Sequence, residues 1–141
     1  MTTATTSSDQ PATAEDLTPH AITVIAWLDP VIDNAAGSIP TASDDALIWW
    51  TSTVGPTGVL MAHRFATYAA EGPSVWLLID IAQTFGLGQS IGRVTHTLER
   101  LARFGLIARH GDAVAVRLML PPLTARQRVR LPGYLADAYP H

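Results

Sequence analysis

The stretch Phe85–Val94, FGLGQSIGRV, places three glycines within seven residues, directly behind an apolar run and directly ahead of a helix-like pattern. Two arrangements use such punctuation: a backbone loop that cradles a phosphate, or a tight turn between two helices. The spacing Gly86-x-Gly88-x-x-x-Gly92 is one residue longer than the dinucleotide fingerprint. That fingerprint must also follow a strand and be answered by an acid about 20 residues on. The nearest acid, Asp112, falls in a predicted hairpin tip, and a chain without lysine has no phosphate-loop lysine. The turn is the better reading. Gly86 ends one helix in the left-handed conformation, Leu87 packs between the two helices, and Gly88 to Ser90 complete the turn.

The flanking segments are consistent with that turn. Ser90 caps the clearest helix of the chain, IGRVTHTLERLARF, whose inner stripe is Val94, Leu98 and Leu101 flanked by Ile91 and Ala102. Gly105 ends it. LIAR, a turn at HGD and AVAVRLML then predict an antiparallel hairpin, with Val114, Val116, Leu118 and Leu120 on its buried face. Upstream, SVWLLIDIAQTFG begins like a strand, but its length, Ser74 as a cap and Gly86 past its end favour a helix. A helix from Pro56 to Gly72-Pro73 buries Gly58, Met61, Ala62, Phe65 and Ala69, and Ser43 caps a short helix in DDALIWWTS. AITVIAWLDPVI, broken at Asp29-Pro30, fits helix or strand, and NAAGSIPTAS reads as a loop. Thr124 and Gln127 form a capping box for a last helix over about 124–139, interrupted at Pro132-Gly133.

The expected class is therefore mainly α, with α+β character, a two-stranded hairpin and additional N- and C-terminal helices. Residues 1–18, rich in Thr, Ser, Ala and acid, read as a disordered tail with neither signal peptide nor anchor, and 19–141 as one domain. Within it, the two helices and their turn cover about 74–104 and the hairpin about 105–120. LGQSIGRVTHTLERLARFGLIARHGDAVAVRLML resembles a winged helix-turn-helix of the kind found in bacterial transcription regulators. The likeness rests on the Ser90 cap, the apolar stripe, the LERLARFGLI exit and the hairpin. More of the chain, from VGPTGVLMAHR to VRLMLPPLTARQRVRLP, is similar to small winged-helix proteins of GC-rich bacteria, which bears on fold and adds little on mechanism. What the resemblance implies is a DNA-binding regulator.

Charge supports a basic working face. Residues 1–80 carry nine acids and only Arg64, whereas 81–141 carry eight arginines against Glu99, Asp112 and Asp137. An acidic tail plus chance would give the same split. With no cysteine, disulfides, thiolate catalysis and the common zinc fingers are excluded. The longest apolar runs, VIAWL and VWLLI, fall far short of a membrane span. The expected setting is cytoplasmic and nucleoid-associated.

At about 100° per residue, with Val94 inward, Arg93, His96, Arg100 and Arg103 share about an 80° outward arc, with Glu99 at its edge. Arginine reaches both guanine edges and phosphate. Gln89, Ser90, Arg93 and His96 at the N-terminal end are expected to read bases, Arg100 and Arg103 to meet phosphate, and Gly92 to let the backbone approach closely. Exposed helix faces are ordinarily polar, so each residue singly fits a solvated role as well. Arg109 and His110 sit at the hairpin tip, where groove or phosphate contact fits, although Asp112 beside them opposes it. Arg117, Arg126 and Arg130 either widen the basic surface or pair with the acidic half.

Other constellations carry less. His63-Arg64 lacks a second histidine at metal-ligand spacing, no nucleophile elbow surrounds any serine, and Asp44-Asp45 suits the start of a helix. Trp49, Trp50, Trp76, Phe65 and Tyr68 read as core or interhelix contacts, with a dimer interface or small apolar ligand pocket as the alternative. Neither an enzyme nor a cofactor or metal is expected. The expected partner is double-stranded DNA, bound by a homodimer joined through the terminal helices. The alternative is a protein-interaction module on the same scaffold that does not touch DNA.

Overall fold

The computed structural model describes residues 20–140, so the reading of residues 1–18 as a disordered tail lies outside the described residues. The chain is an α+β protein. In order it forms β1 (Ala21–Trp27), α1 (Pro30–Asp33), β2 (Ile39–Pro40), α2 (Asp44–Val54), α3 (Pro56–Ala69), β3 (Ser74–Leu77), α4 (Leu78–Thr84), α5 (Ile91–Arg103), β4 (Ile107–His110), β5 (Ala113–Arg117), β6 (Met119–Leu120), α6 (Ala125–Arg128) and α7 (Gly133–Ala138).

The ambiguous first segment is a strand, and it reorganises the sheet. Ile22 and Val24 of β1 alternate into the core, and β1 inserts between β3 and β5 to give the order β3-β1-β5-β4. It runs antiparallel to β3, with Thr23 opposite Val75, and parallel to β5, with Val24 opposite Val114. The expected two-stranded hairpin, β4 and β5, is thus half of a four-stranded sheet.

A second correction concerns SVWL, which is strand β3, so α4 begins at Leu78 rather than at 74. Val75 and Leu77 point outward while Ser74 and Trp76 are half-buried. The Ser74 hydroxyl, read as a helix cap, instead accepts from Trp76 Nε1 at 2.9 Å. AVAVRLML also divides. β5 stops at Arg117, and β6 leaves the main sheet to pair with β2, where Thr41 donates from its amide to Leu118 O at 2.9 Å and from Oγ1 to Arg117 O at 2.6 Å.

The helices start where their caps dictate. Ser43 Oγ accepts from the Ala46 amide at 3.2 Å, with Asp44 and Asp45 in the first turn of α2, where the helix dipole favours acids. Pro56 opens α3, whose buried face includes Gly58, Met61, Ala62, Phe65 and Ala69 as the spacing predicts. The Thr124–Gln127 capping box forms, and the segment 124–139 divides at Pro132-Gly133 as the sequence predicts: α6 ends before Pro132, which has no amide to continue it and caps α7 instead. Trp50, Phe65, Met61, Leu98, Leu101, Ile81 and Leu120 fill the core between these helices and the sheet. At Gly58, a Cβ would stand 3.4 Å from Leu101 Cδ2, an ordinary van der Waals contact at the packing of α3 on α5.

Arg117 ties the two halves of the chain. Its Nη1 meets Asp29 Oδ2 at 2.9 Å, its Nε donates to Gly105 O at 2.7 Å, and its guanidinium lies 3.7 Å from the Trp27 ring centroid. The hydrogen bond from Arg117 holds the Asp29 carboxyl below its ordinary 3.8, burial opposes this, and the Ile32 and Val31 amides add to the lowering. A depressed carboxyl stabilises the fold above its unfolded pKa and loses that contribution as pH falls through the folded value. Asp29→Asn is therefore expected to lower the urea midpoint at about pH 6, and the difference from the parent is expected to shrink as pH falls below the ordinary carboxylate range. A difference between the two that persists unchanged into acid refutes this assignment.

Candidate functional site

The glycine stretch forms a tight interhelical turn. Gly86 (φ +72°) and Gly88 (φ +66°) both lie in the left-handed region, where a side chain would be strained. Between them Leu87 packs against the core, and its amide donates to Ala82 O at 2.7 Å, closing α4. Ser90 Oγ then accepts from the Arg93 amide at 3.2 Å and starts α5. Val94, Leu98 and Leu101 are fully buried, which fixes the rotation of α5 and the direction of its outer face.

On that face the structure separates the expected residues. Gln89, Arg93, His96 and Arg103 are exposed, with Glu99 exposed among them. Ser90 is half-buried and its hydroxyl is engaged as the cap. A Cβ at Gly92 would meet only Ser90 Oγ, at 3.9 Å, so the backbone is open to approach there. Gly92, Arg93 and His96 border a shallow groove against Thr57 at the start of α3. The only ion pair among the described residues is Arg117–Asp29, so Arg93 and Arg103 have no carboxylate partner within this set.

Arg100 departs from expectation. Its Nε donates to Val54 O at 3.0 Å and its Nη2 to Thr53 O at 3.3 Å, closing the C-terminal end of α2, and its guanidinium lies 5.6 Å from the Phe104 ring centroid. The side chain is half-buried and structurally engaged. A cation at a helix C-terminus is favourable for the carbonyls and for the dipole alike. The signal is invisible locally because 46 residues separate the partners.

The hairpin residues also differ from each other. His110 is exposed at the tip, whereas Arg109 is half-buried, with its Nε buried and unpartnered among the described residues. Gly111 (φ +62°) and Asp112 form the two-residue turn, and Asp112 O accepts from the Thr23 amide at 2.8 Å. The tip is thus fastened to β1 rather than standing free. Arg117 pairs with the acidic half, as described above. Arg126 is exposed, Arg128 lies 5.9 Å from the Tyr139 ring centroid, and Arg130 lies 5.9 Å from that of Phe104.

The described residues hold nine arginines and nine acids, so the chain's net charge of -3 comes from Asp9, Glu15 and Asp16 in the segment before them. Of the aromatic set, Trp50 and Phe65 are core, and Trp76 meets Phe65 and Tyr68 edge-on at 5.2 and 5.1 Å. Among the described residues no three His, Asp or Glu side chains gather as a metal site, and no helix is long and apolar enough to cross a membrane. No family model, curated protein or solved structure matches the chain.

Proposed function

We propose that the chain is a DNA-binding regulator of the winged-helix kind, with α5 entering the major groove and the β4–β5 hairpin as the wing. The observation that carries this reading is the outer face of α5. A capped helix with its apolar stripe locked in the core turns Arg93, His96 and Arg103 to solvent without a paired acid. The order α4, left-handed turn, α5, hairpin supports it. Gln89, Arg93 and His96, at the N-terminal end, read base edges, while Arg103 in the last turn contacts phosphate. Arg100 has no part in this reading, and Arg109 contributes less than His110. Two copies on a two-fold site would supply the specificity that one small domain lacks. Val31 on α1, Val129 after α6 and Tyr134 on α7 are 77%, 83% and 74% exposed, apolar surface of the kind a second copy covers. Such a protein works in the cytoplasm, at the nucleoid.

The test is a mobility-shift titration of the purified protein against its own upstream region and bulk genomic fragments. Binding is expected at low salt and is expected to weaken steeply between about 50 and 200 mM. Failure to bind any duplex at about 50 mM salt ends the reading. One observation favours a protein-interaction module instead: β3 is a sheet edge, and its Val75 and Leu77 are 72% and 49% exposed. Copurification with a stoichiometric protein partner, free of nucleic acid, is the outcome that selects it.

A further inference from the structure

A cavity of about 330 Å³ lies between the loop before β2, the first half of α2, the Pro121-Pro122 segment and the C-terminal residues around Tyr139. None of these elements belongs to the α4–α5 turn. Its walls are largely aromatic and proline: Trp49 and Tyr139 meet edge-on at 5.1 Å, with Trp50 behind them. Tyr139 is fixed in place because its hydroxyl accepts from the Leu123 amide at 2.7 Å. The volume suits a small flat molecule, at the lower end of the range for ligand pockets.

Two charged side chains line this cavity, and their charges are unequally answered. Asp45 lies in the first turn of α2, where the helix's own amide dipoles balance a carboxylate. Arg128 has no carboxylate partner among the described residues, only the Tyr139 ring at 5.9 Å. Ser38 forms part of the wall, but its hydroxyl is buried beneath it, out of reach of a ligand. A half-buried guanidinium favours a bidentate oxyanion. The unmet demand in the cavity is thus for a negative charge against an aromatic wall. We propose that this cavity binds a small planar aromatic carboxylic acid, its ring against Trp49 and Tyr139 and its carboxylate held by Arg128. The site stands on these residues alone and is independent of what α5 contacts.

The probes are 1-naphthoate, its neutral amide 1-naphthamide and the cation 1-naphthylmethylamine, titrated calorimetrically into the full chain without DNA. 1-Naphthoate is expected to bind saturably and at least about tenfold more tightly than either analogue, one charged contact's worth of preference. Arg128→Gln is expected to remove that preference while leaving 1-naphthamide binding unchanged, and Arg128→Lys to retain part of it. Asp45→Asn removes the neighbouring negative charge and is expected to strengthen 1-naphthoate binding. Unchanged 1-naphthamide binding in the Gln variant also shows that it folds. No saturable 1-naphthoate binding overturns the proposal, as does equal affinity for the amide or tighter binding of the cation. Retention of the full preference by a folded Arg128→Gln variant overturns it too.

Discussion

Replacing Arg93 and Arg103 together with alanine is expected to weaken specific duplex binding by about two orders of magnitude without moving the unfolding midpoint. Both side chains are exposed and make no hydrogen bond or ion pair among the described residues, so folding does not depend on them. On the proposed reading, Arg103→Ala alone would remove one phosphate contact and should lower the slope of log K against log salt by about one. On the same reading, Arg93→Ala would remove a base contact at a cost of about 1–3 kcal/mol and should relax preference at one position. Arg100→Ala is expected to do the reverse. It leaves Thr53 O and Val54 O without their charged donor, lowers stability by about 1–3 kcal/mol and does not change the salt slope. Salt-dependent titrations and urea unfolding of the same three variants separate the two roles. A fall of one in the slope for Arg100→Ala, at unchanged stability, contradicts the structural role assigned here.

That contrast shows where sequence reasoning succeeds in this chain and where it stops. Features set by neighbours within a few residues are legible: the Ser43 and Ser90 caps, the Thr124–Gln127 box, the left-handed glycines at 86 and 88, and the Val94, Leu98 and Leu101 stripe. Each depends on the short periodicity of a helix or on a side chain reaching its own first turn. Pairings between distant segments are not. β1 finds Val75 and Val114 across 52 and 90 residues of chain, and only then does a short apolar run become a central strand. Ser74 illustrates the same limit, since a hydroxyl that suits a helix cap serves equally well as the acceptor for a nearby indole. For the site, helical geometry places Arg93, His96, Arg100 and Arg103 on one arc. Which of them is free is decided by the end of α2, whose two carbonyls take Arg100 out of the set. Arg117 is withdrawn in the same way by Asp29, Gly105 and Trp27.

The core that holds this site has one residue on which several elements converge. Phe65 of α3 is fully buried and meets Trp76 of β3 edge-on at 5.2 Å and Phe85, at the end of α4, at 6.2 Å. Phe65→Ala is expected to cost about 3–5 kcal/mol, through lost transfer energy and the cavity left behind. Both edge-to-face pairs disappear with the ring. For a domain of this size that is a large part of the total stability, commonly about 5–15 kcal/mol. Phe65→Leu retains most of the volume and is expected to cost less, because it loses the ring contacts without emptying the site. Equilibrium urea unfolding followed by tryptophan fluorescence measures both, since Trp76 reports directly on the loss of its partner. The consequence for α5 follows from connectivity. Phe85 is the residue immediately before Gly86, so loosening it releases the turn that sets the direction of Arg93 and His96. A Phe65→Leu variant that remains folded should therefore lose duplex affinity although residue 65 is buried away from α5's outer face. Unchanged affinity in that variant would mean that the turn is held by Leu87 and the Ala82 carbonyl alone.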